Sequence, residues 1–141
     1  MEFKVPLSRA DISQAEIDAV CAVLRSPYLS LGPKLPEFEN AMSRYIGSKY
    51  AVAINSGTSG LYLCMKAMGI GSGDEVITRN FTFIATVEVV ALLGLKLVIV
   101  EPESDSFNIS IEAIRKAITP KTKAIIPVHL YGRMVDMRGF A

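Results

Sequence analysis

Apolar residues Ile17, Val20, Cys21 and Leu24 recur at three- and four-residue intervals, the spacing of one helix face. Ser13 followed by Glu16 is a capping-box pair, so a helix is predicted to open there. It should stop near Ser26-Pro27, because proline disfavours helical backbone in the residue before it. Residues 28–32 read as a loop. Leu35, Phe38, Met42, Tyr45 and Ile46 predict a second helix from about Pro33, ended by Gly47. The pattern then changes. Residues 50–54, Tyr-Ala-Val-Ala-Ile, form a short unbroken apolar run of the kind expected for a strand buried on both faces. Residues 55–58 break it, and 61–68 read as a helix ended by Gly69. Gly71-Ser72-Gly73-Asp74 is a turn. Further strands are predicted at 75–78, 96–100 and 123–128. Helices are predicted over 82–93, ended by Gly94, and from the Ser110 cap to 118. Residues 136–141 look like the start of one more helix.

A helical N-terminal segment over 1–47 is thus followed by repeated strand–helix units over 48–141, four strands in all. Crossovers of this length join parallel strands and place helices on the faces, which predicts a layered α/β/α fold with a mostly parallel sheet. The 141 residues suit one domain. Hydrophobic residues at 50% and charged residues at 21% exclude a disordered chain. The mean hydropathy of +0.35 fits strands buried on both faces, or surface that further protein covers. A net charge of +1 without a basic block gives no sign of a nucleic-acid partner. The N-terminal Met-Glu-Phe-Lys-Val-Pro has no apolar signal core, and the apolar stretch 83–100 is broken by Glu88, Gly94 and Lys96. No membrane span is expected, and the expected location is the cytoplasm. Cys21 and Cys64 sit in apolar helical patterns and read as buried thiols.

Three segments carry candidate chemistry. Asn55-Ser56-Gly57-Thr58-Ser59-Gly60 lies between a predicted strand and a helix, where ligands bind in open α/β sheets. A helix start offers unpaired N–H groups and the positive dipole end. Gly57 permits close approach of an anion, and Thr58 and Ser59 add hydroxyls. This suits a phosphate seat; an ordinary helix cap is the alternative, since Ser, Thr and Asn favour caps. At the end of the next strand, Phe81 or Phe83 could stack on a planar ring, or both could belong to the core. The loop Pro27-Tyr28-Leu29-Ser30-Leu31-Gly32-Pro33 is either a binding loop or a plain helix connection. His129, the only histidine, follows the last predicted strand and is either a general base or a structural residue. Glu101, Glu103 and Asp105 read as turn carboxylates, and no metal site is expected.

Taken in order, a series of segments resembles the N-terminal part of the DegT/DnrJ/EryC1/StrS aminotransferases. They are Val5-Pro6-Leu7-Ser8-Arg9, then residues 24–34 from Leu24 to Lys34, Ala51-Val52-Ala53-Ile54-Asn55-Ser56-Gly57-Thr58-Ser59, Gly71-Ser72-Gly73-Asp74-Glu75-Val76-Ile77-Thr78, and Ala124-Ile125-Ile126-Pro127-Val128-His129-Leu130-Tyr131-Gly132. The resemblance spans essentially the whole chain. It implies an incomplete large domain of a fold-type I pyridoxal-phosphate enzyme that aminates nucleotide-linked keto-sugars, typically with glutamate as donor, and that works as a homodimer.

By the same resemblance, Gly57, Thr58 and Ser59 bind the cofactor phosphate. Phe83 covers the pyridine ring, with Phe81 the alternative, and Tyr28 and Ser30 border the substrate site. Two departures stand out: Arg79-Asn80 replaces a usual Pro-Ser, and Glu101 a common Asp. The carboxylate that pairs with the pyridine nitrogen and the Schiff-base Lys lie beyond position 141 in the family pattern. The lysines from Lys4 to Lys123 match no such position, so no catalytic residue is assigned and the 141 residues alone are expected to be inactive. Two other readings stay open: a non-catalytic fragment or interaction module needing a complementary chain, and part of a pyridoxamine-phosphate sugar dehydratase.

Overall fold

Ser13 caps a helix as its position predicts. Its hydroxyl accepts from the Ala15 N–H at 3.2 Å, and its own N–H donates to Glu16 Oε2 at 2.7 Å. These distances come from a computed structural model, which describes residues 8–140. Val5, Pro6 and Leu7 of the opening motif lie outside the described residues, as does Ala141. The chain divides into two units at Ala53–Ile54.

The first unit holds α1 (Gln14–Leu24) and α2 (Lys34–Ile46). α2 ends at Gly47, whose φ of 77° lets its N–H return to the Ser43 carbonyl at 2.9 Å. Residues 50–54 correct the sequence reading, for they form no strand. The Ala53 N–H donates to Glu39 Oε1 at 2.9 Å, so a side chain takes the donor that a neighbouring strand would have used. Tyr50 and Val52 are 74% and 77% exposed, which is not the burial expected of a central strand.

The second unit begins with α3 (Gly57–Ala67) and continues through β1 (Glu75–Arg79), α4 (Ala85–Leu92), β2 (Lys96–Val100), α5 (Ile111–Ala117) and β3 (Thr122–Ile125). Among the described residues the sheet therefore has three strands rather than four, in the order β2-β1-β3, all parallel. β1 is central, and its five residues are all buried. Its alternation feeds a core on each face. Val76 packs with Met65, Val89, Val90 and Leu95 beneath α3 and α4. Ile77 packs with Val100, Ile109, Ile114 and Val135 on the α5 side. The layered α/β/α architecture follows.

Several boundaries move, each for a local reason. α3 starts four residues earlier than predicted, because the Ser56 hydroxyl accepts from the Ser59 N–H at 3.1 Å and draws Gly57–Ser59 into the first turn. β3 stops at Ile125; the Ile126 N–H still reaches the Ile77 carbonyl at 2.9 Å, but Pro127 has no N–H to continue the ladder. The predicted last helix is a short 3-10 turn, Met137–Phe140. Cys64 is exposed, not buried, because the inward stripe of α3 runs through Leu61, Tyr62 and Met65 and Cys64 falls off it. Cys21 is half-buried.

At the amino end of β1, the Glu75 side chain accepts from Lys96 Nζ at 2.8 Å and from Thr119 Oγ1 at 2.6 Å. The hydrogen bonds from Lys96 and Thr119 hold its carboxyl below the usual carboxylate range. A folded-state value below the unfolded one means that the stabilisation is present above the unfolded pKa and is lost as pH falls through the folded one. We predict that Glu75→Gln lowers Tm near neutral pH and that the gap to wild type closes on acidification. Thermal melts at stepped pH check this.

Candidate functional site

Gly57, Thr58 and Ser59 form the first turn of α3, with their backbone donors at its positive end. The Gly60 N–H is spent on the Ser56 carbonyl and the Ser59 N–H on the Ser56 hydroxyl. The Ser56 hydroxyl then donates to Ser59 Oγ at 3.0 Å. That bond occupies a lone pair of Ser59 and leaves the Ser59 hydroxyl hydrogen available to donate. A Cβ built on Gly57 would meet nothing within 4 Å, so open space lies over its backbone. Asn55, Thr58, Ser59, Tyr62, Leu63, Val89 and Leu92 line a shallow hollow beside this turn. N–H groups, two hydroxyls and an unobstructed glycine make a donor set that fits a phosphate.

At the carboxyl end of β1, the segment 80–84 leads into α4. Phe83 is 76% exposed and Phe81 is 52% exposed, so neither is the core residue that composition alone would suggest. Phe83 presents an open ring face next to the helix that packs on α3. Asn80 Nδ2 donates to Glu101 Oε2 at 3.4 Å, which brings together two positions that depart from the family pattern. The Thr82 and Thr86 hydroxyls share a hydrogen bond of 2.9 Å. Arg79, fully buried, sets its guanidinium 5.5 Å from the centre of the Phe81 ring. Burial pulls the guanidinium below its ordinary value and the Tyr131 phenol acts in the opposite sense; the group stays charged.

His129 is tied to a turn. Its Nδ1 accepts from the Val135 N–H at 3.1 Å, which requires the neutral ring to carry its proton on Nε2. Asn108, 3% exposed, organises the same segment. Its Nδ2 donates to the Arg133 and Met134 carbonyls, and its Oδ1 accepts from the Leu130 N–H. Tyr131 in this loop has a φ of 52°. Sequence reasoning missed Asn108; its one signal is a polar residue inside the run Phe107-Asn108-Ile109. Tyr28 and Ser30 belong to the first unit, where both are exposed. There the Tyr28 N–H donates to Ser26 Oγ at 3.2 Å, and Tyr28 lines an apolar hollow with Ala22, Val23, Leu29 and Leu31.

The model of the DegT/DnrJ/EryC1/StrS aminotransferase family matches residues 10–141. The chain belongs to this family. Solved structures of similar chains agree. Spr1654 from Streptococcus pneumoniae, assigned as a sugar aminotransferase and solved in PLP and PMP forms, is 37% identical, with TM-scores of 0.93 and 0.94. The match covers 98% of this chain and 35% of that one. DesV from S. venezuelae, in complex with a ketimine intermediate, is 42% identical with a TM-score of 0.84, over 89% of this chain and 34% of its own. The GDP-4-keto-6-deoxy-D-mannose-3-dehydratase of E. coli, with bound hydrated PLP, is 28% identical with a TM-score of 0.89, over 96% and 34%. The chain thus spans about a third of the length of these relatives, and its fold is that part of a fold-type I pyridoxal-phosphate enzyme. No helix among the described residues is long and apolar enough to cross a membrane.

Replacing Asn108 by Ala removes its bonds to the Arg133 and Met134 carbonyls and one of the two acceptors of the Leu130 N–H, which keeps the Val128 carbonyl at 3.0 Å. We predict a loss of about 1–3 kcal/mol in stability, with faster amide exchange confined to residues 129–135. Denaturant melts and hydrogen-exchange mass spectrometry check it.

Proposed function

We propose that this chain is part of a pyridoxal-phosphate-dependent aminotransferase that moves an amino group, typically from glutamate, to a nucleotide-linked keto-sugar. Family membership supports the reaction class. The observation that carries the assignment of roles is the first turn of α3, with open space over Gly57 and a Ser59 hydroxyl that accepts from Ser56 and keeps its own hydrogen to donate. In this reading the Gly57 and Thr58 N–H groups and the Thr58 and Ser59 hydroxyls hold the cofactor phosphate. Phe83 covers one face of the pyridine ring, and Tyr28 and Ser30 border the substrate. When bound, the cofactor supplies an electron sink for amino transfer; the protein positions it and tunes its ring.

The enzyme acts as a cytoplasmic homodimer in this reading. The exposed apolar side chains of the first unit, including Val20, Leu24, Leu29 and Leu31, suit cover by further protein. A sugar dehydratase is the second reading, favoured by the likeness to the E. coli enzyme.

The test uses the full-length enzyme. Gly57→Ala puts a methyl group where the phosphate approaches, yet it meets nothing within 4 Å among the described residues. We predict that it keeps its Tm as apoprotein and weakens pyridoxal phosphate by more than about tenfold, a loss of roughly 1.4 kcal/mol or more. Unchanged affinity would remove the phosphate seat from this turn. Mass spectrometry of the sugar product with glutamate present separates an amino sugar from a deoxygenated one.

A further inference from the structure

Arg79 ends the central strand with Nε, Nη1 and Nη2 all buried and none hydrogen-bonded among the described residues. A guanidinium keeps its charge, and its donors lie in its plane. With no acceptor for them, burial there works against folding. Residues that break a local rule in this way concentrate where a site needs them. This guanidinium lies 5.5 Å from the Phe81 ring centre, within cation–π range, where desolvation strengthens the attraction.

The location gives that contact a consequence. Asn80 is tied to Glu101 beyond the end of β2, and Thr82 is tied to Thr86 in α4. Phe81 lies between these ties, has no polar group of its own and is half exposed. We infer that Arg79 is a positioning residue: its guanidinium pins the Phe81 ring, and so sets the pose of the segment that presents Phe83. The inference rests on the proposed role of Phe83 against the cofactor ring. Three ties, at residues 79, 80 and 82, restrict this five-residue connection.

The test is a double-mutant cycle in the full-length enzyme with Arg79→Met, Phe81→Leu and both together. Pyridoxal-phosphate affinity and the visible circular dichroism of the bound cofactor are read on the holoenzyme, and denaturant stability on the apoprotein. Arg79→Met should keep or raise stability, since it removes an unpaired buried charge. It should also diminish the visible dichroism and weaken the cofactor roughly two- to tenfold. Phe81→Leu should do the same to the cofactor, and the double variant should be no worse than either single one. Additive effects, or an unchanged dichroism and affinity in Arg79→Met, overturn the inference. So does a large stability loss in Arg79→Met with none in Phe81→Leu, which would mean that a carboxylate elsewhere in the polypeptide pairs with Arg79. Coupling in the apoprotein beside a wild type that takes up no cofactor would leave the clamp standing and sink the functional reading instead.

Discussion

β1 has a strand hydrogen-bonded on each edge and helices over each face, so all five of its residues lose water. Every polar group it carries must then find a partner within the protein. Its backbone does so through β2 and β3. Thr78 does so by donating to the Ile126 carbonyl at 3.0 Å. Glu75 does so through Lys96 and Thr119 at the amino end. The rest of the second unit is arranged around this demand: apolar helices α3 and α4 close one face, and α5 with the 128–135 loop closes the other.

The two ends of the strand resolve the demand differently. Glu75 is paired and hydrogen-bonded, which favours stability. Arg79, at the carboxyl end, has no hydrogen-bond partner among the described residues and lies against the Phe81 ring. That end is also where open α/β sheets bind ligands, and where the start of α3 and the Phe81–Phe83 segment stand exposed. A strand that is satisfied at one end and strained in its polar accounting at the other separates the part of the fold that confers stability from the part proposed to meet the cofactor.

Much of this was legible in the residues. The Ser13–Glu16 pair, the Gly47 terminator and the Ser110 cap are local signals, and local signals survive folding. The ordered segments also revealed the family. What was not legible depends on partners far away in sequence. Residues 50–54 have the composition of a buried strand, but whether a strand forms depends on a neighbour, and Glu39 takes the Ala53 donor instead. Residues 55–58 read as a break, and Gly57 and Thr58 are poor helix formers; the Ser56 cap overrides that preference and starts the helix at Gly57. For the candidate site, Gly57, Thr58, Ser59 and Phe83 were named from sequence, whereas the burial of Arg79 and the anchoring of residues 130–134 by Asn108 depend on packing partners far away in sequence. No spacing rule marks such residues.

The first turn of α3 is proposed to seat the cofactor phosphate. A crystal structure of the full-length enzyme with pyridoxal phosphate tests it most directly. Phosphate oxygens should lie about 2.6–3.1 Å from the Gly57 or Thr58 backbone nitrogen and from the Ser59 hydroxyl oxygen, with the Phe83 ring over the pyridine. A phosphate held elsewhere, with the Ser59 hydroxyl still facing solvent, would contradict it.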